Sequence, residues 1–152
     1  MVERVVRIGT RRARPRRVAE RIAIEATEGR PVWIVEDEPA AASLAVELCA
    51  AAGGAPTVFH RPLPFLAALR TDPAPAVVIL DWRLEHELSA ALFLATRHRY
   101  ERLPVVFWTG SARTSLPGMI RGDAYATVVD KAAGTEAFEA ALAWAFRGGS
   151  LD

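Results

Sequence analysis

From Pro31 onward, short and almost wholly apolar runs alternate with longer Ala/Leu-rich stretches, the pattern of strands and helices succeeding one another around a parallel sheet. The runs Val32 to Val35, Thr57 to Phe59, Ala76 to Leu80, Val105 to Trp108 and Ala126 to Val129 predict five strands. The central ones lack polar alternation, as strands covered on both faces require. Between them, Pro39 to Ala52 stops at Gly53-Gly54, Pro64 to Arg70 at a Pro-rich turn and Leu88 to Arg99 before Leu103-Pro104. Each predicts a helix closed by a Gly or Pro signal. Residues 112 to 122 contain Pro117, Gly118 and Gly122 and predict only a short or irregular turn of helix. Thr135 to Phe146 predicts the last helix, with Thr135 as N-cap candidate and Phe138, Leu142, Ala145 and Phe146 as its apolar stripe. Gly148-Gly149 ends it, leaving no room for a second output domain.

Composition narrows the class. A chain of 152 residues that is 51% hydrophobic and 24% charged is an ordinary globular protein of one domain, long enough to bury a core without staples. The lone Cys49 excludes a disulfide-built scaffold and predicts a small core group. No apolar run approaches the roughly 20 residues of a membrane span, and the arginine-rich N-terminus lacks an apolar signal core, so the expected location is the cytoplasm. The net charge of +1 hides an asymmetry: residues 1 to 30 hold nine Arg against four Glu, the remainder ten basic against fourteen acidic residues. Residues 1 to 30 therefore read as a basic N-terminal extension to a body at 31 to 148. Residues 7 to 17 lack an apolar period and read as a solvated arm, while Val18, Ile22 and Ile24 suggest one short helix over 16 to 27. No recognition helix or aromatic interleaving accompanies the arm, which favours a partner-seeking tail over a nucleic-acid contact.

The chemistry lies at the strand exits, where open parallel sheets bind their ligands. The first strand leaves into Glu36-Asp37-Glu38, the third into Asp81, the fourth into Thr109 and the fifth into Asp130-Lys131. Glu36, Asp37 and Asp81 would repel by about 3 kcal/mol per close pair at ~5 Å and an effective dielectric near 20. A cation is required. Lys131, the only lysine beside eighteen arginines, offsets one charge. The remaining carboxylates form a hard oxygen set suited to Mg²⁺, which retains waters and accepts phosphate oxygens. An aspartate beside Mg²⁺ and a lysine can act as a nucleophile and hold an aspartyl phosphate, with Thr109 donating its hydroxyl to the same group. Glu38 is read as assisting the first helix. His60, His86 and His98 share no ligand spacing with each other or with Cys49 and read as surface residues; Trp33, Trp82, Trp108 and Trp144 read as packing groups.

These residues resemble the receiver domain of two-component response regulators over roughly residues 31 to 147. Val-Trp-Ile-Val-Glu-Asp-Glu-Pro (32 to 39) looks like the family's first strand and acidic pair, and Val-Val-Ile-Leu-Asp-Trp-Arg-Leu (77 to 84) like its phospho-acceptor strand. Val-Val-Phe-Trp-Thr-Gly (105 to 110) resembles the hydroxyl strand and Val-Val-Asp-Lys (128 to 131) the lysine strand. Asp37, Asp81, Thr109 and Lys131 follow one another at separations of 44, 28 and 22 residues. The resemblance implies a doubly wound, five-stranded parallel sheet of order 2-1-3-4-5, a flavodoxin-like three-layer α/β/α fold. It implies that Asp81 takes a phosphoryl group from a phosphohistidine, that Asp37 binds Mg²⁺ directly and Glu36 through a water, and that the backbone carbonyl of Arg83 is a further ligand. Lys131 and Thr109 would meet the phosphoryl oxygens.

The implied partners are a sensor histidine kinase or a histidine phosphotransfer protein, with homodimerisation possible, and the chain would be a phospho-acceptor rather than an enzyme. Glu36 stands where Asp is commoner, Glu85 and Ala132 where Pro is usual, and Val128 where an aromatic switch residue is expected. A cis peptide costs about 3 kcal/mol more at Ala132 than at Pro. Three rivals stand beside this reading: a degenerate receiver acting as a non-phosphorylated interaction module, nucleic-acid binding through the arm, and a phosphatase of the haloacid-dehalogenase type. The last would need an Asp two residues after the nucleophile, where Arg83 stands.

Overall fold

A computed structural model of the protein describes residues 2–4, 29–82, 86–110 and 116–149. Strands β2 (Arg30–Val35), β3 (Gly54–Phe59), β4 (Val77–Leu80), β5 (Val105–Thr109) and β6 (Ala126–Asp130) form a parallel sheet in the spatial order β3-β2-β4-β5-β6. That is the predicted order 2-1-3-4-5. The connecting helices are α1 (Pro39–Ala51), α2 (Pro62–Thr71), α3 (His86–Arg99), the single turn α4 (Gly118–Arg121) and α5 (Thr135–Phe146). The Pro and Gly residues at 117, 118 and 122 hold α4 to one turn, as their helix propensities dictate.

The strand alternation splits the core in two. Trp33, Val35, Val78, Leu80, Val105 and Phe107 face α2, α3 and α4, where Phe65, Leu92, Phe93 and Ile120 are buried. Val32, Ile34, Val77, Ile79, Val106, Trp108 and Val129 face α1 and α5, meeting Ala42, Ala45, Cys49, Phe138 and Leu142. On the first face Trp33, Phe59 and Phe65 form a ring of edge-on contacts at 5.6 to 6.1 Å, which seats α2 on the sheet. Burial on both sides is why the central strands read as continuous apolar runs.

Within the stretch 1 to 30 read as an extension, Val2–Arg4 and Arg30 belong to the sheet. Val2–Arg4 forms a short strand, β1, antiparallel to β3 with Val2 opposite Phe59 and Arg4 opposite Thr57, so among the described residues the sheet has six strands. At the other end Arg30 already belongs to β2, and its guanidinium donates to the carbonyl of Phe146 and lies 5.3 Å from that residue's ring. The arm at 7 to 17 and the helix expected over 16 to 27 lie outside the described residues.

β3 begins three residues earlier than predicted, through Gly54, Ala55 and Pro56. The N–H of Arg30 donates to Gly53 and that of Glu36 to Phe59, so the odd-numbered residues of β3 face β2. Pro56 therefore turns its nitrogen away from β2, and its missing N–H costs no bond of the β2–β3 ladder. Gly29 is required where the two strands start: a Cβ there would stand 2.7 Å from the carbonyl carbon of Gly54. At α5 the N-cap is Gly134, at φ +87°, rather than Thr135, which is the first helical residue.

Candidate functional site

The alternation that sorts the core also builds the site. Glu36 continues the register of Val32 and Ile34, Asp81 that of Val77 and Ile79, and Lys131 that of Val129, so all three emerge on the α1/α5 side at the carboxyl end of the sheet. There they meet. Lys131 Nζ lies 2.8 Å from Glu36 Oε1 and 3.4 Å from Asp81 Oδ2. Asp37 joins them, and one carboxylate oxygen from each of Glu36, Asp37 and Asp81 falls within 4.8 Å of the others. Glu36 is 1% exposed and Asp81 4%, whereas Asp37 is exposed and opens the cluster to solvent. Thr109 is buried at the end of β5, in register with Asp130, and shares the carboxyl end of the sheet with the acidic cluster. Arg83, whose carbonyl the resemblance makes a metal ligand, and Glu85 lie outside the described residues.

Among the described residues, the cluster sets three carboxylates beside one ammonium. Burial, aided by the neighbouring charge of Asp81, raises the Glu36 carboxyl to about 7 against the hydrogen bond and charge of Lys131 and the Glu38 N–H, which pull it down. For Lys131, burial works against the charge, but the hydrogen bond to Glu36 and the charges of Glu36 and Asp81 outweigh it and its pKa rises. The donor set fits Mg²⁺: all hard oxygens, with surplus negative charge and one carboxylate reachable from water.

Several supporting residues escaped the sequence reading. Ser89, buried on α3, directs its hydroxyl to the carbonyls of Asp81 at 2.8 Å and Trp82 at 3.1 Å, pinning the start of the loop that leaves β4. His60 is half-buried rather than a surface residue, with Nδ1 3.3 Å from the carbonyl of Glu36. Glu38 contributes as the N-cap of α1 through its backbone, its N–H donating to Glu36 Oε2 at 3.2 Å, without a side-chain cap. The loop after Lys131 is a 3₁₀ turn, Lys131–Ala133, whose Asp130 side chain accepts from the Ala132 N–H at 2.8 Å; no cis peptide occurs among the described residues. A hydroxyl at Ser89 carries no sequence signal for a tether, because its partners are backbone carbonyls eight and seven residues away across a turn.

No protein-family model matches the sequence, and no curated protein matches it. Solved structures do. The N-terminal domain of a response regulator/sensory box/GGDEF 3-domain protein from Carboxydothermus hydrogenoformans aligns over 78% of this chain and 94% of its own, at 22% identity and a TM-score of 0.67. A response regulator receiver protein from Sinorhizobium medicae WSM419 aligns over 81% and 98%, at 15% identity and a TM-score of 0.67. A sensor protein from Polaromonas sp. JS666 aligns over 80% and 98%, at 19% identity and a TM-score of 0.68. The chain has the fold of response regulator receiver domains.

Proposed function

We propose that this chain is a response-regulator-type signalling switch that accepts a phosphoryl group on Asp81 from a phosphohistidine donor, with Mg²⁺, and passes its state on through protein–protein contacts. The observation that supports this reading is the grouping of Glu36, Asp37 and Asp81 at the carboxyl end of a receiver-type sheet, with the chain's only lysine on Glu36 and Asp81. Glu36, Asp37 and Asp81, with the Arg83 carbonyl carried over from the resemblance, would hold the ion. When bound, Mg²⁺ supplies positive charge against the phosphoryl oxygens. A carboxylate oxygen of Asp81 forms the new O–P bond as the donor's P–N bond breaks; the electron pair leaves with the imidazole, which takes up a proton. Lys131 offers its ammonium to one phosphoryl oxygen and Thr109 its hydroxyl to another. Water later attacks phosphorus and returns Asp81 and inorganic phosphate, so the protein assists its own phosphorylation and dephosphorylation rather than turning over a separate substrate.

The donor is a sensor histidine kinase or a histidine phosphotransfer protein, and the setting is the cytoplasm. A second copy of the chain is a further candidate partner. Incubation with acetyl phosphate and Mg²⁺ should add one phosphoryl group to the wild type by intact mass and none to Asp81→Asn. Equal labelling of both would overturn the assignment. If neither is labelled and millimolar Mg²⁺ leaves the fluorescence of Trp82 unchanged, the chain is a degenerate receiver serving as an interaction module.

A further inference from the structure

Lys131 has a third neighbour that neither its charge nor the acidic cluster explains. Its ammonium lies 5.2 Å from the centre of the Trp108 ring, within the range at which a cation is attracted to an indole face. The contact is built by the sheet. Trp108 pairs in register with Val129, and Lys131 emerges two residues later on the same side, so its ammonium reaches the indole as well as Glu36 and Asp81. The ring itself is fixed: Trp108 is 5% exposed and meets the fully buried Phe138 of α5 edge-on, with centroids 4.9 Å apart at 68°.

Resting on the proposed function, we infer that Trp108 is a positioning residue for Lys131, its π face holding the ammonium at the Asp81 side of the pocket. Lysine is a flexible point charge on a four-carbon stem, and here it leaves an edge strand with its side chain 22% exposed. The Glu36 contact at 2.8 Å is shorter than the Asp81 contact at 3.4 Å, so carboxylates alone draw the ammonium toward Glu36. The indole supplies an attraction on a third side that is unchanged when phosphorylation moves the negative charge from the Asp81 carboxylate out to the phosphoryl oxygens. Phe138 makes that wall rigid by tying it to α5.

Two measurements test this. Because Lys131 is the only lysine, lysine-selective ¹³C/¹⁵N labelling yields one side-chain spin system. Its ε-methylene protons should be shifted upfield by the Trp108 ring current in the wild type; free-lysine shifts overturn the inference, whatever the phosphorylation result. In the second, Trp108→Leu should slow labelling by acetyl phosphate by about three- to tenfold, the effect of losing one cation–π contact, while Trp108→Phe restores most of the rate and Mg²⁺ affinity stays at the wild-type value in both. A Trp108→Leu protein labelled at the wild-type rate sinks the proposal. Should Trp108→Leu fail to fold, the lysine spectrum of the wild type decides alone. A wild type that is never labelled refutes the proposed function and leaves the spectrum to judge the contact.

Discussion

Among the described residues, one charge cluster is built around an arginine and another around a lysine, and the first pairs its charges one to one. At the foot of α3, Arg97 forms a two-pronged ion pair with Asp123, Nε to Oδ2 at 2.9 Å and Nη2 to Oδ1 at 3.0 Å. Its Nη1 reaches the carbonyls of Tyr100, Glu101 and Leu103 at 3.1, 3.0 and 2.8 Å, and the guanidinium lies 5.3 Å from the Phe93 ring. Asp123 also accepts from the N–H of Tyr125 at 2.8 Å. One cation meets one anion, and the surplus donors find backbone acceptors. At the carboxyl end of the sheet, the Lys131 ammonium meets Glu36 and Asp81 with Asp37 beside them, and burial raises the Glu36 carboxyl to about 7. The balanced cluster staples the α3–β5 connection to the turn before β6. The acidic one carries the carboxylates that, under the proposed function, would hold Mg²⁺.

The comparison breaks most readily at the staple. Arg97→Ala strands Asp123 against its backbone partners and removes three bridged carbonyl contacts, so it should lower unfolding free energy by about 3 kcal/mol. Urea melts measure this, and the protein that remains folded should still label at Asp81 at the wild-type rate. A loss of labelling out of proportion to the folded fraction would mean the two clusters are coupled.

The acidic cluster should reveal itself through pH. Folded Glu36 holds its proton up to about 7 and the unfolded residue only to its ordinary 4.5, so the native state binds more protons between these values. Stability of the metal-free protein should therefore fall as pH rises from about 4.5 to 7, by up to about 3 kcal/mol. Lys131, whose folded pKa is raised, contributes stability that is present below its ordinary 10.5 and lost only at still higher pH. Glu36→Gln should flatten the acidic-to-neutral slope. Millimolar Mg²⁺ should stabilise the wild type at pH 8 by about 1–2 kcal/mol and much less at pH 5, where protons compete with it. Thermal melts across pH, with and without Mg²⁺, check the sign; stability that rises between pH 5 and 7 without metal would refute the raised Glu36 pKa.

The smallest effect belongs to the neutral tether between the clusters. Ser89→Ala deletes the hydroxyl that meets the carbonyls of Asp81 and Trp82 and should cost about 1 kcal/mol. Amide exchange should speed up in the loop after β4 while the Arg97 staple keeps its protection.

The site was legible where chemistry coincides with strand ends. Glu36, Asp37, Asp81, Thr109 and Lys131 each follow an apolar run, and a doubly wound parallel sheet brings such ends to one edge. The supports were not legible. Ser89 and His60 act on backbone carbonyls, which leave no residue-type signature, and Trp108 reads as one more core aromatic until β5 and β6 are set in register. Arg97 looks like any cation in the last turn of a helix; its partner Asp123 lies 26 residues on.

The sequence by itself determined the five parallel strands, their helices and the identity of the acidic and basic groups, because apolar runs, Gly and Pro stops and strand-end charges are local signals. Only the tertiary structure decided that Val2–Arg4 closes the edge of β3, that Pro56 belongs inside that strand, and that an indole rather than a third carboxylate flanks Lys131. Each of these depends on which backbone edge or side-chain face a distant segment presents, and pairing across dozens of residues is settled by packing and register rather than by the propensity of either segment.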